Sequence, residues 1–438
     1  MRQFRRNFLI LGIGVVLVSS SFTMIIPFLS VYLIELGAEE RWLDLWAGAI
    51  FSSFYLAGAV VGPVWGALAD KYGRKKMVVR AGICLAAIYC LIAVVRSPGE
   101  LLAVRLLHGI VGGFVPASFS IVAAGAPKEK MGYYLGLMEA SVAVGQVMGP
   151  LIGGLLYEWA GMRLSALIPA ALLMCATIAV VVWVKEEKPA GEAAERSRTG
   201  DDKDLGIDKS AEKSGESGAA RRHEKGAAKS SANSAGETIF SALRQPVLIS
   251  MFLLLFMFHF AFNLLQPILP LYIAELRGRL EGAVISSGLV ISLVGLATII
   301  AAPRWGIAGS RYGYERVMTL CFVAAGALGI ALYVPHTIPG FAFVYFTFGL
   351  FVSGIVPSIN TIAAQNTGRR FRGRLFGMTK SASHLGAMTG GFCGGLLASW
   401  LGMANVLVIC GGILLLVGLF AKFAAEKRKI SGNMEGSA

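Results

Sequence analysis

Two ionisable sites in this sequence lie inside long apolar stretches, where charge is costly and therefore indicates function. Arg105 is followed one helical turn later by His108. Glu139 lies seven residues into another apolar stretch, roughly 10 Å from its start at 1.5 Å per residue, and shares a helix face with Gln146. We expect Glu139 to be a buried, protonatable carboxylate, with a structural pairing to a nearby cation as the alternative. For Arg105, the alternative to a functional role is a structural one, in which its long side chain reaches the membrane interface.

Two further stripes of polar residues occur at helical spacing. His259, Asn263 and Gln266 are spaced i, i+4, i+7, so they share one helix face, and Lys380, Ser383 and His384 form a similar stripe. Three polar groups on one face would not point toward lipid, so we expect the stripes to line a cavity. Each single histidine is equally compatible with a packing role.

The charges of these candidate cavity residues favour anionic ligands. Arg105 and Lys380 are cations, three histidines can join them, and Glu139 is the one acid among them. A site for lipophilic cations would be expected to offer more acids. We therefore hypothesise an anionic or zwitterionic amphiphilic substrate.

Motifs for catalysis, metals and nucleotides do not occur in the sequence. It contains no His-Glu-x-x-His pair, no nucleophile elbow and no phosphate-binding glycine loop between a strand and a helix. The six cysteines lie in apolar runs and lack the spacing of a disulfide framework or a metal site. We expect neither enzyme activity nor a metal or cofactor.

The elements that must position these residues are membrane helices. Of 438 residues, 55% are hydrophobic and only 15% are charged, compared with about 25% charged residues in soluble proteins. Twelve apolar runs have roughly the 20-residue length of a membrane span, and the spans must be helical because strand edges cannot be satisfied in lipid. The runs cover residues 8–35, 45–69, 77–96, 101–124, 132–157, 164–184, 246–275, 283–308, 317–335, 340–364, 375–400 and 405–423.

Short loops rich in Arg and Lys alternate with loops that carry few such residues. The N-terminal Arg2, Arg5 and Arg6 belong to the rich set, which faces the cytosol by the positive-inside rule. We therefore predict a multi-pass protein of the cell membrane (plasma or inner membrane) with both termini in the cytosol. The net charge of +14 is concentrated in these loops, so no nucleic-acid partner is expected.

Residues 185–244 are rich in Lys, Glu, Ser, Gly and Ala, with almost no large apolar side chains. Such a segment cannot bury enough surface to offset its ordering entropy. We predict a disordered cytosolic linker between a six-helix bundle at residues 1–184 and a second at residues 245–438, which ends in a short cytosolic tail. A partner-binding or sensory role for the linker is the alternative to a simple tether.

The two predicted bundles are sequence copies of each other. Pro27, Trp65 and Gly73 recur 240 residues later, as Pro267, Trp305 and Gly313, and Lys380 lies 241 residues after Glu139. Six helices therefore repeat in the same order and the same orientation. Parallel repeats of this kind are a transporter architecture, with the substrate site between the halves near the bilayer midplane.

The loop between the second and third apolar runs, residues 66–76, combines glycines, an acid and several cations. Its glycines allow a turn, and its acid can cap a helix N-terminus or pair with a cation. A positive-inside anchor would explain the cations but neither the acid nor the glycine spacing. The residues concerned are Gly66, Asp70, Lys71, Gly73, Arg74 and Lys75.

At this loop the chain resembles the major facilitator superfamily. The pattern Gly66-x-x-x-Asp70-Lys71-x-Gly73-Arg74-Lys75 is similar to that superfamily's motif between helices two and three. The pattern Arg105-x-x-x-Gly109, followed by Gly112 and Gly113, is similar to its helix-four motif. A third pattern, Gly145-x-x-x-Gly149-Pro150-x-x-Gly153-Gly154, resembles the helix-five motif of drug:proton antiporters with twelve helices.

The resemblance implies an all-α fold of twelve transmembrane helices in two pseudo-symmetric six-helix bundles. It covers everything except the linker and implies a role for Arg105 in proton movement. In the second half, Ser310 stands in place of Asp70 and Gly391 in place of Pro150. The resemblance therefore implies a cytosolic gate at the loop motif that begins with Gly66, and an antiport motif, in the first half only.

The glycines of the third motif have a direct physical interpretation. Gly145, Gly149 and Gly153 fall on one helix face and allow a neighbouring helix to approach closely. Pro150 frees a backbone carbonyl and permits a bend. Plain small-residue packing explains the second-half copy equally well, and the proline favours a functional role in the first half.

These features predict a proton-coupled exporter of the multidrug-efflux type that acts on small amphiphilic molecules. It would work as a monomer in the lipid bilayer and be driven by protons. A dedicated exporter of one endogenous metabolite, such as a metallophore or siderophore, would share every motif. A solute-uptake symporter is a further alternative, against which the Gly149-Pro150 motif argues.

Overall fold

The helices begin and end close to the predicted apolar runs. The computed structural model describes residues 2–127, 131–184, 246–278, 282–367 and 372–435, and leaves some side chains within them, including those of Asp70 and Lys71, outside the description. No strand occurs among the described residues. The predicted linker, residues 185–244, lies outside them.

The described residues of the first half form seven helical segments. They are α1 (Arg2–Ile25), α2 (Leu29–Glu35), α3 (Leu43–Tyr72), α4 (Arg74–Val94), α5 (Pro98–Val111), α6 (Phe114–Gly125) and α7 (Met131–Trp183). Short 3-10 turns occupy Ile26–Phe28 and Glu40–Trp42. Within α7 the helical geometry is interrupted at Gly161, where φ is 71° and ψ is 171°, so this segment contains two consecutive spans.

The second half repeats this order. It contains α8 (Pro246–Leu265), α9 (Leu269–Arg277), α10 (Ala283–Tyr312), α11 (Tyr314–Ala331), α12 (Ile338–Gln365), α13 (Arg372–Leu401) and α14 (Met403–Glu435). The first span of each half breaks at the repeated proline, since Pro27 lies between α1 and α2 and Pro267 between α8 and α9. Span four consists of α5 and α6, whereas its counterpart, span ten, is the single helix α12.

Ten segments among the described residues are long and apolar enough to cross a membrane. One of them, Tyr134–Trp183, holds the two spans separated by Gly161. Arg372–Leu401 adds another helix of membrane-spanning length, 30 residues. The described helices thus supply the twelve spans predicted from the sequence, and the all-α prediction is confirmed.

Glycine sits at the chain reversals that join spans two and three and spans eight and nine. Gly73 has φ 96° and ψ 141°, and Gly313 has φ 94° and ψ 133°. Both lie in the positive-φ region that L-residues with a Cβ avoid. The predicted turn-forming role of Gly73 is therefore confirmed, and its copy takes the same conformation.

The core of the first half is apolar and fully enclosed between helices. Leu11, Ile92, Leu101 and Leu173, from four different spans, are each inaccessible to solvent. Residues from this core also touch second-half residues such as Val284. The two halves therefore pack as one membrane-embedded unit.

Candidate functional site

Arg105 and His108 form a buried pair in α5. They are only 1% and 2% exposed, and Nη1 of Arg105 lies 3.0 Å from Nδ1 of His108. Such burial excludes the alternative in which Arg105 reaches the membrane interface. Arg105 Nη2 has no hydrogen-bond partner among the described residues, so this guanidinium retains an unused donor.

Aromatic rings surround this pair. The guanidinium carbon of Arg105 lies 5.1 Å from the ring centre of Phe54, and His108 makes edge-on contacts with Phe22, Phe54 and Tyr89. Cation–π attraction of this kind contributes about 2 kcal/mol when it is desolvated. Among the described residues, rings and not a carboxylate surround the pair, and the rings exclude water around it.

Tyr55 links this cluster to the second half. Its ring lies 5.5 Å from that of His384 on α13, and its phenol is close enough to Arg105 to interact electrostatically. Sequence reasoning missed Tyr55 because it read as part of an apolar run. A tyrosine inside a span is the available signal, since its hydroxyl must find a polar environment.

On the second-half side, His259, Lys380 and His384 lie near one another. Lys380 and His384 both lie close enough to His259 to act on its charge. The rest of the α8 stripe behaves differently. Asn263 is buried and donates from Nδ2 to the carbonyl of His259 at 2.7 Å, so its amide is used within its own helix, and Gln266 is half-buried.

Glu139 is exposed, not buried as expected. Its helix packs on α1 through the face of Gly145 and Gly149, and on α10 through the face of Val147 and Pro150. Glu139 and Gln146 point between these two contact faces by helical geometry. Both side chains are exposed on the sector between α1 and α10, and the prediction of a buried carboxylate was wrong.

Lys380 occupies the symmetry-related position on α13. Its helix packs on α8 through Gly386, Gly390 and Gly394, as α7 packs on α1, and it contacts α3 through Gly391. Lys380 is exposed, like Glu139. A cation and an acid thus occupy equivalent, exposed positions on the two halves.

The glycines of the antiport motif provide the predicted close helix contact. A Cβ at Gly149 would lie 2.6 Å from the carbonyl oxygen of Ser20, and one at Gly145 would lie 2.6 Å from that of Val16. Gly153 meets the backbone of Met24 in the same way. These contacts leave no room for a side chain at Gly145, Gly149 or Gly153, so α1 and α7 touch through their backbones.

The proline of the motif contributes differently from the expected bend. The chain remains helical through Pro150, and the interruption in α7 is at Gly161. The carbonyl of Pro150 approaches Gly288 of α10, and Gly154 approaches Val284 on the same helix. Pro150 and Gly154 therefore belong to the contact between the two halves.

Contacts between the halves run from mid-membrane to the predicted extracellular face. The hydroxyl of Ser52 donates to the carbonyl of Met388 at 2.7 Å, and Gly48 of α3 packs on Gly391 and Gly395 of α13. On the other side of the bundle, Glu158 accepts from the amide of Gly282 at 2.8 Å. Glu139 and Lys380 lie on the predicted cytosolic side of these contacts along α7 and α13.

The basic loop is only partly visible. The side chains of Asp70 and Lys71 and the surroundings of Gly66 lie outside what the structure describes, so the gate remains a prediction. Arg74 donates to the carbonyl of Ser120 at 3.0 Å, and Lys75 donates to that of Val181 at 2.9 Å. These bonds place cations near the C-terminal ends of α6 and α7, where helix dipoles favour them.

A family model described as "Major Facilitator Superfamily" matches residues 11–287 and 251–435. The chain belongs to this superfamily. It is 27% identical over 435 residues to the multidrug resistance protein MdtG of Yersinia enterocolitica, which covers 98% of this chain and 95% of that protein. It is 25% identical over 431 residues to MdtG of Salmonella arizonae, which covers 98% of both.

Solved structures of the superfamily share the fold. A bacterial homologue of the human lysosomal transporter Spinster, in an inward-facing and unoccupied conformation, matches with a TM-score of 0.73 at 15% identity over 97% of both chains. The nucleoside transporter NupG matches with a TM-score of 0.71 at 14% identity over 96% of this chain and 98% of NupG. At these identities the likeness concerns the fold alone. The protein is a multi-pass membrane transporter.

Proposed function

We propose that this protein is a proton-coupled exporter of small amphiphilic molecules that carry an anionic or zwitterionic group. The observation that carries the proposal is the buried Arg105 guanidinium, which has rings around it and an unused donor at Nη2. The similarity to MdtG multidrug resistance proteins over 98% of the chain supports export and breadth of substrate.

The proposed substrate class follows from polar side chains of α8 and α13 and aromatic side chains of α3. Lys380 and the histidines of α8 and α13 offer positive or hydrogen-bonding groups from the second half. Phe54 and Tyr55 offer aromatic surface from α3. An anionic head with an apolar body would use both, whereas a lipophilic cation would meet Arg105 and Lys380 as like charges.

Proton coupling would use Glu139, which lies toward the predicted cytosolic end of α7. An exporter has to release its proton to the cytosol in the state that is open to the cytosol. A carboxylate exposed to that cavity can lose its proton there before substrate enters. Rocking of the halves about the contacts between α3 and α13 and between α7 and α10 would then carry the substrate outward.

The test is transport by everted vesicles from a strain that lacks its own exporters. A matched series on one apolar scaffold would carry an anionic, zwitterionic, neutral or cationic head. We expect uptake of the anionic and zwitterionic members, driven by an imposed proton gradient and lost in Glu139→Gln. Ser141→Ala on the same helix is the control, since its hydroxyl bonds only to the carbonyl of Leu137 among the interactions identified.

Preference for the cationic member would refute the substrate class. Transport that continues without a proton gradient would refute the coupling. Transport restricted to one endogenous metabolite would identify a dedicated exporter with the same mechanism. Accumulation in right-side-out vesicles would reverse the assigned direction.

A further inference from the structure

Span four is broken, and side chains from two neighbouring spans satisfy the carbonyls that the break exposes. Helix α5 ends at Val111, and α6 starts at Phe114 after Gly113, whose φ is 120°. A helix end leaves its last carbonyls without backbone partners, and lipid offers no water to replace them. The break therefore requires donors from elsewhere in the protein.

Trp65 and Arg80 supply those donors. Nε1 of Trp65 donates to the carbonyl of Ile110 at 2.5 Å. Nη2 of Arg80 donates to the carbonyl of Gly112 at 2.7 Å and more weakly to that of Val111 at 3.4 Å. Three consecutive carbonyls are thus satisfied, and a cation sits at a helix C-terminus, where the dipole favours it.

Arg80 and Trp65 also hold each other. The guanidinium carbon of Arg80 lies 3.3 Å from the ring centre of Trp65. A planar guanidinium can stack on an indole and donate from its edge at the same time, which an ammonium cannot do. Arg80 therefore ties α4, α3 and the end of α5 together at one point.

The second half provides an internal comparison. Trp305 donates to the carbonyl of Leu350 at 2.7 Å, with the same spacing as Trp65 and Ile110. Position 320, which corresponds to Arg80, is a leucine, and positions 352 and 353, which correspond to the two glycines, are Val352 and Ser353. Helix α12 is continuous across them. The first half thus has both the arginine and the break, whereas the second half has a leucine and a continuous helix at the corresponding positions.

We propose that Arg80 is a positioning residue for Arg105, and that it acts by maintaining the break in span four. Arg105 and His108 lie in the last two turns before the break. Because α5 ends at Val111, the axis of this short helix does not have to follow the axis of α6. Trp65 directly precedes the basic loop, so Arg80 also connects that loop to the buried pair. The proposal rests on the proposed function only in its transport readout.

The test combines a substitution cycle with a distance measurement. The first variant is Arg80→Leu, the second-half residue; the second is Gly112→Val with Gly113→Ser; the third combines them. We expect at least a tenfold loss of transport from each of the first two, with the combined variant no worse than either. Arg80→Lys should keep part of the activity, since it can still donate to one carbonyl.

The distance is measured by electron paramagnetic resonance between spin labels at Ala103 and Ala124, both exposed and on opposite sides of the break, in a cysteine-free background. We expect Arg80→Leu to shift or broaden the distribution, and Trp305→Phe to leave it unchanged. Additive transport losses, or an unchanged distribution in Arg80→Leu, would overturn the proposal. If the unsubstituted protein transports none of the probes, the proposed function fails while the distance measurement still decides this inference.

Discussion

The carboxylate of Glu158 accepts a hydrogen bond from the amide of Gly282, with 2.8 Å between Oε1 and the nitrogen. Glu158 belongs to the first half, and Gly282 directly precedes α10 in the second. An acid at a helix N-terminus is favoured by the helix dipole and by an otherwise unsatisfied amide. This bond therefore joins the halves at the predicted extracellular face.

Glu158→Ala should weaken closure of that face. Because Glu158 is exposed, the bond contributes about 0.5 to 1 kcal/mol, which corresponds to a roughly two- to fivefold shift toward the opposite state. Spin-label distances between the Gly161 turn of α7 and the start of α10 would measure the shift. Ser399→Ala, at the repeat-related position, is the control, since the hydroxyl of Ser399 bonds within its own helix. An equal shift in both variants would contradict the prediction.

Arg105→Lys should lower transport at least tenfold while the protein still inserts. Lysine keeps the charge but loses the planar group that faces Phe54 and reaches His108. Vesicle transport, normalised to the amount of protein by immunoblot, would measure the loss. Arg304→Lys provides the comparison, because Arg304 donates to a carbonyl of its own helix on an exposed face. Full activity of Arg105→Lys would show that charge alone suffices.

Lys380→Ala should discriminate between substrates by charge. Removing this exposed cation should raise the KM for an anionic substrate roughly tenfold and leave the KM of a neutral analogue almost unchanged. Concentration series of the two probes would give both values. Ser383→Ala, one turn along α13, should change neither, since the hydroxyl of Ser383 bonds to the carbonyl of Thr379. A parallel rise for both probes would indicate a structural role instead.

Gly149→Ala should disrupt the packing of α7 on α1. The new Cβ would meet the backbone of Ser20 at 2.6 Å, and overpacking of this kind costs about 1 to 3 kcal/mol. Thermal unfolding of the purified protein should show a lower Tm. Gly136→Ala, in the same helix with open space around it, should leave the Tm unchanged or raise it slightly. Similar losses from both would mean that the contact with Ser20 is not responsible, since alanine itself favours the helix more than glycine does.

Asp70→Asn should leave the protein inserted but stop its turnover. The prediction comes from the composition of the basic loop, where one acid lies among several cations. Without its negative charge, residue 70 could no longer pair with a cation on the cytosolic side. Transport and membrane abundance would be measured together, and Ser310→Ala at the repeat-related position is the control. Undiminished transport by Asp70→Asn would remove the gate from the mechanism.

The sequence was most informative where one physical rule decides the outcome. Apolar length and the need to satisfy every backbone group in lipid predicted the twelve spans. The turn at Gly73 and the close face of Gly145 and Gly149 follow from what glycine alone permits. These predictions are confirmed by backbone angles and contact distances.

Predictions about surroundings were less reliable. Glu139 was expected to be buried because it lies in an apolar run, yet its side chain is exposed. Tyr55 was overlooked because its role depends on His384, more than 300 residues away in the chain. Burial and partnership depend on which helix face meets which neighbour, and a single run of residues does not contain that information.

The sequence by itself determined the membrane class, the two-fold repeat and the positions of the chemically active side chains. Hydropathy, spacing and repetition are local properties, and they suffice for these conclusions. Only the tertiary structure decided that Arg105 is enclosed by rings, that Glu139 and Lys380 are exposed, and that Arg80 donates to the carbonyls at the end of α5. Each of these depends on the packing of helices distant in sequence, where contacts between side chain and backbone select one arrangement.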